Sequence, residues 1–351
     1  KITVKNIKLD LNNKFEQAKL IYSDEKNKNF ALSTLIERDN FKPENFFVKE
    51  NEYQHKFIEK KEDFYIIPSG NHNIYNPIII PNGFNLKIRN GTILNMSPNS
   101  YIQVKNGSII CEGSKNAKIK IKSIEKGKKW KGMYVNSRNN KKNISRLNHV
   151  TFSDLNYFNT DKIQLTGSIN FINSELKILN TQILNSLAED AINIVNSNVE
   201  ISNLIIENTL SDGVDIDFGI GSLKNINFYN IGGDAIDLSG SNISVSNMFA
   251  DKIGDKAISV GEKSDMIIDN VKITNSKIGI AGKDSSTVIG ENINIKKCRD
   301  YDFAVYVKKN YFAGAKMNLK KVEDCGKHLV QDNSYLMINN KSFKSKKFNS
   351  K

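Results

Sequence analysis

The chain has 351 residues, of which 39% are hydrophobic and 25% charged, so it can bury a large core and is not a disordered tail. Its 5 prolines exclude a Pro-rich fibre, and its 3 scattered cysteines (Cys111, Cys298, Cys325) suit neither a disulfide framework nor a zinc site. The formal net charge is +13, and no apolar run is long enough to span a membrane. Asparagine (49) and isoleucine (47) are greatly over-used, which points to repetition.

In chain order, Asn29–Arg38 reads as a short capping helix. From Phe64 onward the pattern changes to short apolar alternations. Ile78-Ile79-Ile80-Pro81, the turn Asn82-Gly83 and Leu86-Lys87-Ile88 read as strand, turn and strand. Lys115–Lys131 holds eight lysines and one glutamate, and ends in Trp130-Lys131-Gly132-Met133, a Trp-x-Gly corner.

Beyond it a fixed period sets in. Asn180, Asn203, Asn225, Asn247, Asn270 and Asn292 recur at steps of 23, 22, 22, 23 and 22. Five residues after each comes a second column: Asn185, Asn208, Asn230, Lys252, Asn275 and Lys297. A third landmark is Asp190-Ala191-Ile192, Asp212-Gly213-Val214, Asp234-Ala235-Ile236 and Lys256-Ala257-Ile258. Between landmarks the apolar residues alternate with period two, which means strands. Units of about 22 residues with several short strands and no helical period suit coils of a parallel β-helix. A leucine-rich repeat shares the period but needs a leucine frame that is absent here.

The expected fold is therefore all-β: a right-handed parallel β-helix solenoid of about twelve coils with short N- and C-terminal caps. The expected division is an N-terminal cap over 1–63, the β-helix over 64–312, and a C-terminal cap and basic tail over 313–351. Asparagines at the corners are expected to form buried ladders that satisfy one another's amides.

The outward wall is where chemistry is expected. Alternation puts Ile192/Ile194, Val214/Ile216, Ile236/Leu238 and Ile258/Val260 inward. One outward column is then Asn170, Asn193, Asp215, Asp237, Ser259, Ala281 and Tyr306. Its neighbour, allowing one gap, is Ile172, Val195, Asp217, Ser239, Gly261, Lys283 and Lys308. Asp215, Asp217 and Asp237 become candidate catalytic carboxylates, since crowded like charges raise one another's pKa and a raised carboxyl can act as a general acid. Lys256, Glu262, Lys283, Tyr306 and Lys308 are candidate substrate contacts. The same carboxylates are a candidate Ca²⁺ site, and no other cofactor is indicated. Asp190, Asp212 and Asp234 read as turn-capping residues.

Charge supports a polymeric partner. Leu187–Glu262 contains 12 acids against 3 lysines, a local net of −9, so a total of +13 leaves +22 elsewhere. Polysaccharide, an acidic one included, is the expected partner. No nucleic-acid-binding motif accompanies the lysines. An ice-facing wall would need rows of one residue type, and this column changes at almost every coil.

The runs Ser211-Asp212-Gly213-Val214-Asp215, Gly233-Asp234-Ala235-Ile236 and Asp255-Lys256-Ala257-Ile258-Ser259-Val260-Gly261 resemble the active-site rungs of the polygalacturonases, within the pectin lyase-like β-helix superfamily. The resemblance implies a right-handed β-helix and a glycan-processing wall. It matches Asp212 to the family's first aspartate and Asp234 to the second member of its Asp-Asp pair. Gly233 replaces the other member, Lys256 stands at the histidine position, and Ile280-Ala281-Gly282-Lys283 keeps only the lysine. The resemblance covers about 75 residues, and lyase, epimerase and non-catalytic surface β-helices share its grammar. It implies an extracellular or cell-surface protein. The alternative is a non-catalytic adhesion or structural module. The chain starts at Lys1 without an initiator Met, as a processed chain would.

Overall fold

Alternating Ile and Val with polar residues makes every repeat a set of short strands, and left-handed corner residues bend the chain between them. The computed structural model describes residues 55–137, 144–323, 326–331 and 333–343, and the backbone of three strands nearer the N-terminus. Two compact units result, Lys1–Glu52 and Tyr53–Lys351.

In the first unit, Thr3–Val4, Ala18–Ser23 and Asn29–Thr34 form an antiparallel three-stranded sheet. The helix expected over Asn29–Arg38 is thus a strand as far as Thr34. Pairing with Ala18–Ser23 overrides the weak helical pattern. The rest of Asn29–Arg38, and most of the expected cap over 1–63, lie outside the described residues.

The second unit is a right-handed parallel β-helix of about twelve coils. Successive coils pair in parallel at a constant register. Ile169, Ile192, Val214, Ile236, Ile258, Ile280 and Phe303 stack in one inward column, each almost fully buried. Trp130 is fully buried at its corner, its indole N–H donates to the Ser153 carbonyl, and Gly132 turns with φ +71°. Parallel stacking continues through Lys316–Glu323 and Tyr335–Ile338, and Lys341–Phe343 then folds back antiparallel. Residues 344–351 of the basic tail lie outside the described part. No helix among the described residues is long and apolar enough to cross a membrane.

The asparagine ladders form, but at the surface. Asn180, Asn203, Asn225, Asn247 and Asn270 all have φ between +47° and +54°. Each later amide donates to the one before it, at 2.7–3.0 Å. A left-handed corner turns its side chain outward, so the amides stack on the edge of the solenoid instead of inside it. Buried serines seal the turns instead: Ser197 and Ser241 accept the backbone N–H groups of Ser174 and Gly219.

Asn225 combines φ +54° with two ladder bonds. We expect Asn225→Ala to destabilise the β-helix by about 1–3 kcal/mol in denaturant melts. Asn225→Gly should recover the backbone part only. Equal losses for both variants would mean that the left-handed corner is not what selects asparagine.

Candidate functional site

Gly167–Ile172, Asp190–Val195, Asp212–Asp217, Ile236–Ser239 and the ends of Asn242–Gly261 and Asp265–Lys283 build the wall that holds the candidate carboxylates. Asn193, Asp215, Asp237, Ser259 and Ala281 are successive partners in one outward column. Val195, Asp217, Ser239 and Gly261 form the column beside it. Asp215 and Asp237 therefore share one wall, one coil apart. They are half-buried, not fully exposed, while Ser259 and Ala281 above them are sealed off.

Two expected positions change. Ala281 pairs with Ala304, and Tyr306 pairs with Lys283, so Tyr306 belongs to the second column. The step from 281 to 304 keeps the period of 23, whereas a step to 306 would break it. The strand ends at Tyr306, so Lys308 is off the ladder, and its backbone N–H donates to Asp284.

A third column runs along the bend. Asp190 pairs with Asp212. Asp212 Oδ1 accepts the backbone N–H of Asp234 at 2.8 Å, and Asp234 Oδ1 accepts that of Lys256 at 2.8 Å. Asp212 and Asp234 thus bind the next coil instead of capping their own turns. The conformation also accounts for Gly233, because a Cβ there would stand 1.9 Å from Asp212 Oδ1. The missing half of the Asp-Asp pair cannot be accommodated while Asp212 occupies that space.

The cations of the wall are committed to its own acids. Lys256, nearly buried, places Nζ 3.0 Å from Asp234 Oδ1 and also pairs with Asp255. Lys283, equally buried, reaches back two coils to Asp237 at 3.5 Å. Its stem lies over Gly261, where a Cβ would meet Lys283 Cε at 3.0 Å. Glu262 pairs with Lys309, a residue that the sequence pattern did not single out. Backbone N–H groups of Lys308 and Lys309 both bond Asp284, which fixes the start of that loop.

Crowding shifts the acids. Burial, with Asp190, Asp217, Asp237 and Asp212 adding to it, pushes the Asp215 carboxyl up to about 9. Burial, reinforced by Asp234 and Asp237, raises Asp212 to about 7, against the pull of its hydrogen bonds. Asp190 rises to about 6, chiefly through burial. Asp217 is raised by burial, then by Glu262 and Asp237. Burial works against the Glu262 charge, but Lys309 and Ser239 prevail and lower its pKa. Burial works against the Lys256 charge too, and Asp234 and Asp255 prevail, so its pKa is raised. Tyr306 is raised by burial.

Asp212, Asp234 and Asp237 each offer a carboxylate oxygen within 4.8 Å of the others, a set able to coordinate a cation. Two of the three already hold an ammonium, since Asp234 carries that of Lys256 and Asp237 that of Lys283.

A family profile described as right handed beta helix region matches residues 190–343, the part that contains this wall. Solved structures with a similar fold include the catalytic domain of GH87 alpha-1,3-glucanase in complex with nigerose, at 12% identity and TM-score 0.41, over 76% of this chain and 67% of that one. Others are an alginate lyase from Paenibacillus sp. str. FPU-7 (13%, TM-score 0.29, 72% and 92%) and the periplasmic alginate epimerase AlgG (8%, TM-score 0.35, 82% and 80%). The chain spans 62–67% of the length of the glucanase catalytic domains it matches. No curated protein matches the sequence significantly.

Proposed function

We propose that the acidic wall is a polysaccharide-processing site and that its reaction is hydrolysis. The supporting observation is the pair of carboxyls on adjacent coils, one with no ammonium in ion-pair range among the described residues and one paired with Lys283. Asp215, pushed up to about 9, keeps its proton at neutral pH and can give it to a glycosidic oxygen. Asp237, beside it in register and paired with Lys283, is the complementary carboxylate that activates water or meets the developing positive charge. Asp217 flanks both. Lys256 and Lys283 hold the carboxylates in place, and Glu262 and Lys309 border the wall at its far side. A polymer as substrate suits an open wall running along a solenoid, and suits a protein working at the cell surface or beyond.

A second reading rests on the 4.8 Å grouping of Asp212, Asp234 and Asp237, which suits a divalent cation such as Ca²⁺. In that case the acids would serve binding or structure, as in an adhesion module.

The test is turnover of neutral, acidic and amino polysaccharides, with and without EDTA, by the native chain and by an Asp215→Asn/Asp237→Asn variant. We expect cleavage of at least one glycan, resistance to EDTA, and a loss of about 10²–10⁴-fold in the variant. No turnover across the panel, or full activity in the variant, would reject the hydrolytic reading. Binding abolished by EDTA would favour the cation.

A further inference from the structure

The acidic wall has an unmet need for positive charge. Seven carboxyls face it or border it: Asp190, Asp212, Asp215, Asp217, Asp234, Asp237 and Glu262. Three ammonium groups answer them, Lys256 on Asp234, Lys283 on Asp237 and Lys309 on Glu262. That leaves Asp190, Asp212, Asp215 and Asp217 with no ammonium in ion-pair range among the described residues. Asp190 takes an amide hydrogen bond from Asn193, and Asp212 a backbone one from Asp234. Asp215, central among the four, has no hydrogen-bond donor among the described residues.

A second observation lies on the same column. Ser259, one coil beyond Asp237, is fully buried, and its hydroxyl has no hydrogen-bond partner. Its neighbours Ile258 and Val260 point into the core, so the hydroxyl is directed to the wall side. A buried unpaired hydroxyl costs free energy unless something comes to meet it. Lys283, whose stem covers Gly261 two residues along the same strand, is buried and held by Asp237.

We infer that the wall takes a glycan bearing free amino groups, with an ammonium substituent seated against Asp217, beside the protonated Asp215. This rests on the hydrolytic reading above and names its substrate class. An acidic polysaccharide would add carboxylates to a wall that already holds more carboxyls than ammonium groups, and two of its lysines, Lys256 and Lys283, are already paired and buried. A neutral glycan leaves the four acids as they are. An ammonium at Asp217 meets a carboxyl that has none beside it, and the wall already holds one in this manner: Lys256 lies 3.0 Å from Asp234 and also meets Asp255. The basic stretch Lys115–Lys131 is not part of this wall.

The experiment is calorimetric titration of the full chain at pH 6 with three probes of equal length: glucosamine oligomers, their fully N-acetylated counterparts, and oligogalacturonate. It is run in EDTA and repeated at higher salt. We expect the glucosamine oligomer to bind at least tenfold more tightly than the acetylated one. That preference should shrink with salt, and should fall severalfold in Asp217→Asn, with an unchanged melting profile as the folding control. Equal affinity for the acetylated oligomer, tighter binding of oligogalacturonate, a preference unmoved by Asp217→Asn, or a preference lost in EDTA would each overturn the inference. Turnover is scored separately. Cleavage of a neutral glycan without amine preference rejects the substrate class and keeps the hydrolytic reading. Amine-selective binding with no cleavage does the reverse.

Discussion

Lys256→Met is expected to cost the β-helix about 3–5 kcal/mol at neutral pH, because it strands a buried charge. Methionine keeps most of the aliphatic stem, so little packing is lost. What disappears is the ammonium 3.0 Å from Asp234, a carboxylate with a side-chain exposure of 7%. Asp255 suffers less, since Lys277 remains 3.1 Å away. Asp234 is already pushed up by burial, with Lys256 pulling it down and Asp237 adding to the rise. Without Lys256 its folded pKa climbs further above the unfolded value. The folded state then binds more protons, so stability is regained at low pH and lost as pH rises through the folded pKa. Urea melts at pH 7 and pH 4 decide the matter: a deficit at pH 7 that shrinks at pH 4 fits the stranded carboxylate. The same deficit at both would mean that packing, not charge, is what Lys256 contributes.

The coil architecture is legible in the sequence because its constraints are local and repeated. Only a few residues tolerate φ near +54°, so asparagine marks Asn180 to Asn270 wherever a corner falls. Alternation then gives the facing of each strand, and a step of 22 or 23 gives the register. These two rules alone bring Asp215 over Asp237. The same rules, applied strictly, pair Lys283 with Tyr306; admitting a gap near the end of the stack is what misplaces Tyr306 and Lys308. Other features are invisible for physical reasons. An aspartate that bonds its own turn and one that bonds the next coil have the same sequence signature, so Asp212 and Asp234 read as turn residues. Long side chains choose their direction late: nothing in the sequence says that Lys283 lies back along two coils to Asp237, or that Gly261 makes room for it. Lys309 comes into play only because Asp284 anchors its loop.

Asp215→Asn should separate stability from activity more sharply than any other change. The Asp215 carboxyl moves from the usual 3.8 to about 9, through burial first and four neighbouring acids second. Between those values the unfolded chain has lost the proton while the folded chain keeps it. Stability of the native protein therefore falls as pH rises from about 4 towards 9, by the linkage between bound protons and folding. Asparagine imitates the protonated acid in shape and neutrality but has no proton to lose. The variant should match the native chain near pH 4 and exceed it at pH 8 by on the order of 1–3 kcal/mol, the full shift being discounted for a half-exposed group. Asp212→Asn, starting from about 7, should give a smaller gain that grows only up to about pH 7 and stays level above it. Melting curves from pH 4 to 9 measure both. A solvated acid of no consequence would show parallel curves, and that result would remove the reason for treating Asp215 as a proton donor. A gain in stability joined to a loss of turnover is the signature of a fold that keeps an uncomfortable group for its chemistry.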